Sequence, residues 1–519
     1  MRRICLIAIL LVSTCRVLSQ QVETARYEVL RWGKDQNCRF ESFHEQGGMM
    51  VVETEKTDET KQRLWEFVTL DTSLYDLQHD LIPLPEKLAL FDSKSSSRWA
   101  AFVFLNEKQQ RSDSVSFWVV TYNLLEQEFN TFIGKLPERS LLQSIAMVDG
   151  TLMLSVNNKG GGGFLVQYDL DHHWHRTITP NAGDDFILFQ LVAMPDSKEF
   201  VLAVREFVDK RYKNTSFFVY SRDGLLLKSH RFENGENVGL GRMCFGFDPQ
   251  HQLMVYSTLE RESNKKVTVE GMTENFDKEA VGVTWIKFAV SGTQAKSYLF
   301  KDLPDIEEAL TSSDRLRVKQ EVLQMKQGKK KEKGEIALQF YTPRLVDFGD
   351  KHVFVAEAFS PIYHTETRME YGYAGYYRSI PVTYTVFDGY DFFSEILLAF
   401  DDDGELRWQT SVKFDNELCS ALFAHSTEAV AGDELLVASA GQQTLRYEVF
   451  DDAGTRLLGQ EVMPLDFLYR TDSYEADYDV GIMPWYGTRF LVHGCQLVQN
   501  PALRITRRTV FYIQKLQYE

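Results

Sequence analysis

Short apolar runs that end in an Asp/Gly turn and then resume recur along the chain. Asp and Gly supply the positive φ angles of a tight hairpin, so each unit predicts two outer strands of an antiparallel sheet. The clearest turns are Val219–Gly224, Ala399–Gly404 and Val449–Gly454, followed by the runs Leu225–Lys228, Glu405–Trp408 and Thr455–Leu458. Recurrence of the same unit predicts a repeat architecture.

The spacing of these runs predicts four-stranded blades. The segment Leu141–Pro180 contains four short strands, the content of one blade of a β-propeller. We therefore predict an all-β fold, a single eight-bladed β-propeller over residues 20–519, with seven blades as the alternative. The markers of the eight blades are the apolar or aromatic ends of the third strands: Leu70, Tyr122, Tyr168, Tyr220, Phe288, Phe400, Phe450 and Tyr512. The run Arg26–Trp32 is predicted to pair with the last blade, which covers an open sheet edge.

Two longer intervals predict insertions, at about residues 304–335 and 360–393. Pro304–Gln327 carries acidic residues early and lysines late, an order that complements the helix dipole and predicts a helix. A basic stretch follows, which we interpret as a solvated loop or as a contact for an acidic partner or phospholipid head groups. Its lysines are Lys329, Lys330, Lys331 and Lys333.

The second insertion, Ser360–Phe393, is rich in Tyr and Gly and is predicted to be a loop. Tyrosine combines apolar area with a hydroxyl at low entropic cost, so it is common at recognition surfaces. The alternative is that the rings fold back and cover the propeller. The predicted binding residues are Tyr363, Tyr371, Tyr373, Tyr376, Tyr377, Tyr384 and Tyr390.

The start of the sequence has the pattern of an export signal. Basic Met1–Arg3 precedes the apolar run Ile4–Thr14, which is too short to span a bilayer, and small residues precede a cut after Ser19. We predict a signal peptide over residues 1–19 and a periplasmic, outer-membrane-associated or extracellular protein. Lipid anchoring at Cys15 is the alternative. No later apolar run has transmembrane length.

Charge and motif content limit the function. The 519 residues include 57 basic and 74 acidic side chains, a formal net charge of −17. A negative surface repels polyanions, so we predict no nucleic-acid partner. The sequence has no P-loop, nucleophile elbow or His-Glu-x-x-His motif, and we predict no cofactor and no particular catalytic residue. Acids that face a central channel from separate blades would leave no local motif, so catalysis stays open.

Two clusters have the composition of metal sites. On a strand His173 and His175 would share a face, so their imidazoles could approach one metal ion. The alternative is an ordinary exposed hairpin. Asp401–Glu405 resembles a calcium loop, but it lacks the ligand spacing of one, and its Asp/Gly turn explains the sequence.

Four cysteines follow the predicted signal peptide, too far apart for a Cys-x-x-Cys site. Cys38 and Cys495 lie near the two ends of the predicted domain, where a disulfide would join the first and last blades. Cys244 and Cys419 open strand-like runs and are predicted to be buried thiols.

The segment Phe400–Trp408 resembles the repeat of quinoprotein-like propellers, in which an Asp-x-x-Gly-x-x-x-Trp hairpin recurs. Lys228 and Leu458 occupy the Trp position after the other two turns, so the resemblance does not extend to a bound quinone. In its broader features the chain resembles exported propeller proteins of Bacteroidota-type cell envelopes.

These patterns lead to three hypotheses. The leading one is a non-catalytic exported propeller that binds a protein or glycan at the cell envelope, through one rim and the Tyr-rich insertion. The second is an exported polysaccharide hydrolase or lyase with channel-facing acids. The third is a structural subunit of an envelope assembly. Charged side chains from three or more blades converging in one pocket would favour the enzyme, and an aromatic rim would favour binding.

Overall fold

The computed structural model describes residues 25–30, 37–106, 115–235, 238–261, 278–304, 306–311, 318, 324, 334–373, 377–504 and 506–518. In these ranges the regular structure is almost entirely β, in 33 strands. Short 3-10 turns occur at His44–Gln46, Phe300–Asp302 and Ile306–Ala309.

The strands form eight antiparallel sheets, numbered here in chain order. Sheet 1 contains β2 (Cys38–Ser42), β3 (Gly48–Thr57), β4 (Arg63–Leu70) and β5 (Asp76–Leu84). Sheet 2 contains β6 (Ala89–Ser95), β7 (Trp99–Leu105), β8 (Val115–Asn123) and β9 (Glu128–Leu136). Sheet 3 contains β10 (Ser140–Val148), β11 (Thr151–Asn158), β12 (Gly163–Asp169) and β13 (Trp174–Ile178). Sheet 4 contains β14 (Phe186–Met194), β15 (Glu199–Val208), β16 (Arg211–Ser221) and β17 (Leu226–Glu233).

The remaining sheets include one with five strands and one that takes a strand from the start of the described chain. Sheet 5 contains β18 (Val238–Phe247), β19 (Leu253–Arg261), β20 (Ala280–Ala289) and β21 (Gly292–Leu299). Sheet 6 contains β22 (Gln339–Phe340), β23 (Arg344–Phe348), β24 (Lys351–Tyr373), β25 (Tyr377–Phe400) and β26 (Leu406–Cys419). Sheet 7 contains β27 (Ser426–Ala431), β28 (Glu434–Gly441), β29 (Thr444–Phe450) and β30 (Arg456–Pro464). Sheet 8 contains β31 (Ser473–Pro484), β32 (Arg489–Gln499), β33 (Arg507–Gln517) and β1 (Ala25–Leu30).

Eight sheets of this kind are consistent with an eight-bladed β-propeller, and the count favours eight blades over seven. Seven of the eight sequence markers lie in the third strand of a four-stranded sheet, and Phe400 lies in β25, the third strand along the path β22-β24-β25-β26 of sheet 6. By its internal packing the chain divides into two compact units. One contains sheets 7 and 8 together with Leu70–Leu77, and the other contains sheets 2–6 and the rest of sheet 1.

The Asp/Gly turns have the structure that their sequence predicts. In the turn after β25, the Asp401 carboxylate accepts hydrogen bonds from the backbone N–H groups of Asp403 (3.0 Å) and Glu405 (2.8 Å). Gly404 supplies the positive φ angle, 73°. Asp401 therefore contributes side-chain hydrogen bonds, whereas the left-handed backbone is left to glycine. The turn after β29 repeats this with Asp451.

Gly404 is also held by packing against the neighbouring sheet. A Cβ atom at this position would lie 2.2 Å from the Trp285 ring, a fully buried side chain of β20.

The first prediction follows from this contact. Gly404→Ala should lower the free energy of unfolding by about 2–4 kcal/mol, because backbone strain and overpacking add. Denaturant titration measures the change.

Gly432→Ala is the matched control. Its φ angle is 62°, but no atom lies within 4 Å of an added Cβ. It should cost only the backbone strain, about 1 kcal/mol. If Gly404→Ala and Gly432→Ala lowered the free energy of unfolding equally, the Trp285 contact would contribute nothing to the effect.

Sheet 8 closes with the predicted N-terminal strand. Six residues of β1, from Ala25 to Leu30, pair antiparallel with β33, where Ala25 is opposite Lys515 and Leu30 is opposite Val510. The prediction that the run beginning at Arg26 completes the last sheet is confirmed over these residues. The outer edge of β33 is thereby covered.

Buried ion pairs reinforce this pairing. The Arg26 guanidinium donates to the Glu28 carboxylate at 2.8 Å and lies 4.2 Å from the centre of the Tyr512 ring. Arg508 donates to Asp472 at 2.5 Å and lies 3.4 Å from Glu28. The side chains of these four charged residues are all at most 8% exposed. Because the charges are buried, each depends on its partners.

The second prediction compares two neighbouring arginines. Arg508→Ala should lower the free energy of unfolding by about 3–5 kcal/mol, because it leaves the buried Asp472 carboxylate without its guanidinium. Arg507→Ala should cost at most about 1 kcal/mol, since the Arg507–Glu475 pair is exposed. Denaturant titration of both variants tests this. An Arg508 variant no less stable than the Arg507 variant contradicts a structural role for the network.

Several sequence predictions fail or fall outside the described residues. The helix predicted over Pro304–Gln327 is not supported: the described residues of this range include the 3-10 turn Ile306–Ala309, and beyond it only Val318 and Gln324 are described as helical. The predicted disulfide is not formed, because neither Cys38 nor Cys495 is disulfide-bonded.

The burial predicted for the other two thiols is confirmed. Cys244 and Cys419 are buried, and burial raises the pKa of Cys244. The predicted signal peptide and the lysines of the basic stretch (Lys329, Lys330, Lys331 and Lys333) lie outside the described residues.

Candidate functional site

The Tyr-rich insertion is a long β-hairpin and not the predicted loop. β24 and β25 pair from His352/Phe400 out to Tyr373/Tyr377. The neighbouring strands are much shorter: β22 reaches only Phe359, and β26 reaches only Tyr390. Within the described residues, 361–389 therefore form a two-stranded extension of sheet 6, which we call the ribbon.

The sequence of the ribbon suits a strand pair whose two faces differ. Thr occurs at alternate positions in each strand, at Thr365 and Thr367 in β24 and at Thr383 and Thr385 in β25, and β-branched side chains favour the extended backbone. Two prolines, Pro361 and Pro381, lie in the ribbon, which is compatible with strands that have an open edge. The residues on one face carry no charge: Tyr363, Thr365, Thr367, Met369, Pro381, Thr383, Thr385 and Phe387.

This uncharged face is open to solvent. Tyr363 is 55% exposed, Met369 60% and Phe387 42%. The Tyr363 and Phe387 rings lie opposite each other in the ladder, with their centres 5.5 Å apart. Farther along the same face, the hydroxyls of Thr367 and Thr383 are 3.3 Å apart. The result is a strip of aromatic, aliphatic and hydroxyl groups.

On the opposite face of the ribbon, the residues of β24 are charged. His364 Nδ1 lies 2.5 Å from the Asp388 carboxylate, and Arg368 donates to Glu366 at 2.7 Å. The hydrogen bond from Arg368 lowers the pKa of Glu366. These ion pairs are exposed, so they keep this face hydrated more than they stabilise it.

The base of the ribbon is packed into sheet 6. Phe359, Phe392 and Phe414 form a buried cluster, and the half-buried Tyr390 ring lies 5.5 Å from Phe359 and 4.9 Å from Phe387. This packing anchors the ribbon to a rigid sheet. Tyr390 is thus a packing residue. For this one ring, the structure agrees with the alternative that the tyrosines fold back onto the propeller.

The seven predicted tyrosines separate into groups. Tyr363 and Tyr384 are exposed on opposite faces of the ribbon. Tyr371, Tyr373 and Tyr377 lie in the paired strands, and Tyr376 lies outside the described residues. The sequence did not identify Met369 or the threonines as part of the exposed strip, although their two-residue spacing was the available signal.

A second candidate is a cluster of charges contributed by the first strands of several sheets. Arg39 of β2 donates to Asp92 of β6 at 2.5 Å, and Lys94 lies 2.9 Å from the same carboxylate. Burial opposes the ionisation of Asp92, but the two cations outweigh burial and lower its pKa. Ser93 Oγ donates to Glu41 at 2.6 Å, which is a second link between sheets 1 and 2.

The same cluster extends to sheets 5 and 6 around Tyr341. Burial raises the pKa of the Tyr341 hydroxyl, the charge of Glu357 raises it further, and three arginines act in the opposite direction. These are Arg344, Arg242 and Arg39, from three different sheets. Charged side chains of three sheets therefore act on one hydroxyl, which meets one part of the sequence criterion for an enzyme; the other part is a pocket that they share.

The acids on sheet 6 are held by one arginine. Glu357 and Glu395 are directly opposite each other in β24 and β25, and both are completely buried. Arg344 donates to Glu357 at 2.6 Å and to Glu395 at 2.9 Å. The sequence analysis did not identify this group. Its available signal was a single Glu within each of two apolar runs, since an isolated buried acid requires a partner.

A surface groove of about 1040 Å³ runs along β9, β12 and β13. Its lining includes Phe132, Tyr168 and Trp174, together with His173 and His175. The Tyr168 ring lies between the rings of Phe132 (4.9 Å) and His175 (5.3 Å).

The metal hypothesis assumed that His173 and His175 share one face of a strand. They do not. His173 is in the preceding turn with a φ angle of 55°. His175 stacks on Tyr168, so its role is packing. In the described part of the chain, no three His, Cys, Asp or Glu side chains are grouped as a metal site requires. Among the same residues, no helix is long and apolar enough to cross a bilayer.

No family model matches the sequence, and no curated protein matches it. Three solved structures illustrate what the fold is similar to. A structure from a study of two prolyl endopeptidases has 10% identity and a TM-score of 0.37, over 90% of this chain and 54% of that one. The β-propeller domain of the Trilobed protease from Pyrococcus furiosus has 11% identity and a TM-score of 0.34, over 84% and 99%. The WD40 domain of SCAP from fission yeast has 7% identity and a TM-score of 0.29, over 96% and 99%.

The chain thus spans about half the length of the prolyl endopeptidase. At these identities and TM-scores, the similarities carry no information about activity, ligand or partner. The functional argument depends on the side chains of this protein.

The third prediction concerns the buried acid pair. Arg344→Met should lower the free energy of unfolding by about 3–5 kcal/mol, because two opposed buried carboxylates lose the cation between them. Adding Glu395→Gln should restore part of the stability by removing one of the two charges. Thermal and denaturant unfolding of the single and double variants measure this. A single variant as stable as the parent would show that Arg344 does not neutralise the pair.

Proposed function

We propose that this protein is an exported, non-catalytic eight-bladed β-propeller that binds a protein partner at the cell envelope through the uncharged face of the ribbon. The observation that carries the proposal is the exposure of Tyr363, Met369 and Phe387 on one side of a strand pair that extends beyond the rest of its sheet. Exposed apolar strips of this kind mark interaction surfaces.

The composition of the strip supports a protein as the partner. Aromatic residues and Met are enriched in the cores of protein interfaces, whereas charged residues are depleted there. The strip has this composition in a chain whose net charge is −17.

The buried base of the ribbon supports the same function. A binding surface held by a rigid sheet loses little conformational freedom when its partner binds. Phe359 and Phe392, which are almost completely buried, hold the strands at the point where they leave sheet 6. The hairpin therefore presents its face in a defined orientation.

The converging charges of sheets 1, 2, 5 and 6 give less support to a glycosidase. Such an enzyme requires one protonated acid and one free carboxylate beside the scissile bond. Here Asp92 is paired with Arg39 and Lys94, and the two buried glutamates share Arg344. The cations lower the pKa of Asp92, so this carboxylate stays ionised and is a poor general acid.

The fourth prediction is a binding experiment with envelope extract and the immobilised full chain. A Tyr363→Asp, Met369→Asp double variant should retain at most about a tenth of the captured partner, because it introduces charge at the interface core. Quantitative mass spectrometry of the captured proteins measures the loss. Arg368→Ala is the matched control, since Arg368 is adjacent to Met369 in sequence but on the opposite face. Equal capture by all three proteins contradicts the proposal.

A further inference from the structure

A proline in β25 determines which way the backbone groups of the ribbon point. In an antiparallel ladder, directly opposed residues alternate between pairs that exchange two hydrogen bonds and pairs that exchange none. Pro381 is opposite Met369 and has no N–H, so this pair exchanges none. The pairs of Thr383 and Thr385, two and four residues farther along the same uninterrupted register, are of the same type.

The N–H and C=O groups of Thr383 and Thr385 therefore point away from β24, toward the other edge of β25. The short distance between the Thr367 and Thr383 hydroxyls, 3.3 Å, agrees with this assignment, because non-hydrogen-bonded pairs have the closer side chains. The ladder between β25 and β26 ends at Tyr390. In the described part of the chain, the two threonines thus lie on an open strand edge.

The sequence along this edge is palindromic. Residues Val382–Val386 read Val-Thr-Tyr-Thr-Val in both directions. If this segment pairs antiparallel with the same segment of a second molecule, about a two-fold axis at Tyr384, every residue is opposite an identical one. Thr383 is then opposite Thr385 of the partner subunit, and each exchanges two backbone hydrogen bonds with it.

We propose that this edge of β25 binds a second copy of the chain, so that the two ribbons join into one four-stranded antiparallel sheet. The interface is isologous, as in most homodimers. β-Branched and aromatic cross-strand pairs stabilise such a sheet, and the central five residues place no like charges together. A long open edge of this composition is a template for strand addition.

Charge distribution favours β25 over β24 as the pairing edge. The five residues of β25 around the proposed axis, Val382–Val386, carry no charge. The strand on the other side of the ribbon carries the charged His364, Glu366 and Arg368. Charges on an edge strand oppose pairing with another chain.

This dimer does not depend on the protein partner proposed above. The partner contacts the uncharged face of the ribbon, whereas the second copy contacts its edge. A change confined to outward backbone groups therefore tests the dimer and leaves the face in place. Failure of one proposal is distinguishable from failure of the other.

The fifth prediction is a pair of proline substitutions measured by sedimentation of the purified chain between about 1 and 100 μM. The parent should show a concentration-dependent dimer. Thr385→Pro removes an outward N–H, which by symmetry removes two hydrogen bonds, and it should raise the dimer dissociation constant at least tenfold. Thr365→Pro is the matched control: Thr365 is directly opposite Thr385, and its N–H points to the other edge.

Three outcomes of the sedimentation experiment overturn the proposal. The first is a parent that is still monomeric at about 100 μM, the highest concentration measured. The second is equal dimerisation of Thr385→Pro and the parent. The third is loss of the dimer in Thr365→Pro alone, which would assign the contact to β24. Circular dichroism of each variant verifies that the sheets are retained.

A cross-linking variant tests the position of the two-fold axis without weakening the edge. In the proposed register the two copies of Tyr384 are a non-hydrogen-bonded pair, with Cα atoms about 4.5 Å apart, which is within disulfide range. Tyr384→Cys should form an intermolecular disulfide on mild oxidation, seen on a non-reducing gel. Val382→Cys should not, because its equivalent in the partner subunit lies four residues away along the strand. Equal cross-linking of both variants, or none of Tyr384→Cys, contradicts the register.

Discussion

The pairing of β1 with β33 is the constraint on which sheet 8 depends. Without β1, the outer edge of β33 would present its backbone groups to solvent and to other chains. Six residue pairs form the ladder, and buried charges determine how it is aligned. Arg26 contacts Glu28, Gln496 and the Tyr512 ring, so its side chain lies across the strands that it joins. A shift of one residue would move Arg26 to the other face and leave those polar groups without it.

Two other regions use buried or packed polar contacts in a similar way. Arg344 allows two glutamates to be directly opposed in the middle of sheet 6, and Asp92 with its two cations joins sheet 1 to sheet 2. Such ion pairs gain little net stability relative to apolar packing, but an incorrect register would leave charges buried alone. In both regions the main effect of the ion pairs is to destabilise incorrect arrangements of the strands.

The sequence was informative where the structure is specified locally. The turn after Phe400 is determined within six residues by the hydrogen bonds of Asp401 and the φ angle of Gly404, so its repeats could be read directly and the sheets counted. The ribbon was missed as strand because Gly and Pro lower strand propensity. A bulge and an open edge accommodate them, and neither is visible in a single sequence. The Glu357–Glu395 pairing joins residues 38 positions apart, and the lack of a disulfide between Cys38 and Cys495 depends on distances in space; no local pattern encodes either.

Sheet 8 also has a consequence for the order of events in folding. The side chains of Arg26 and Gln514 that meet in it are 488 residues apart in the chain. Closing a loop of this length carries the largest entropic cost of any contact described here, and contacts of high sequence separation slow folding. Among the described strands, β1 is synthesised before all the others and β33 after all the others. β1 therefore lacks its partner strand until the strands of the other seven sheets have been made.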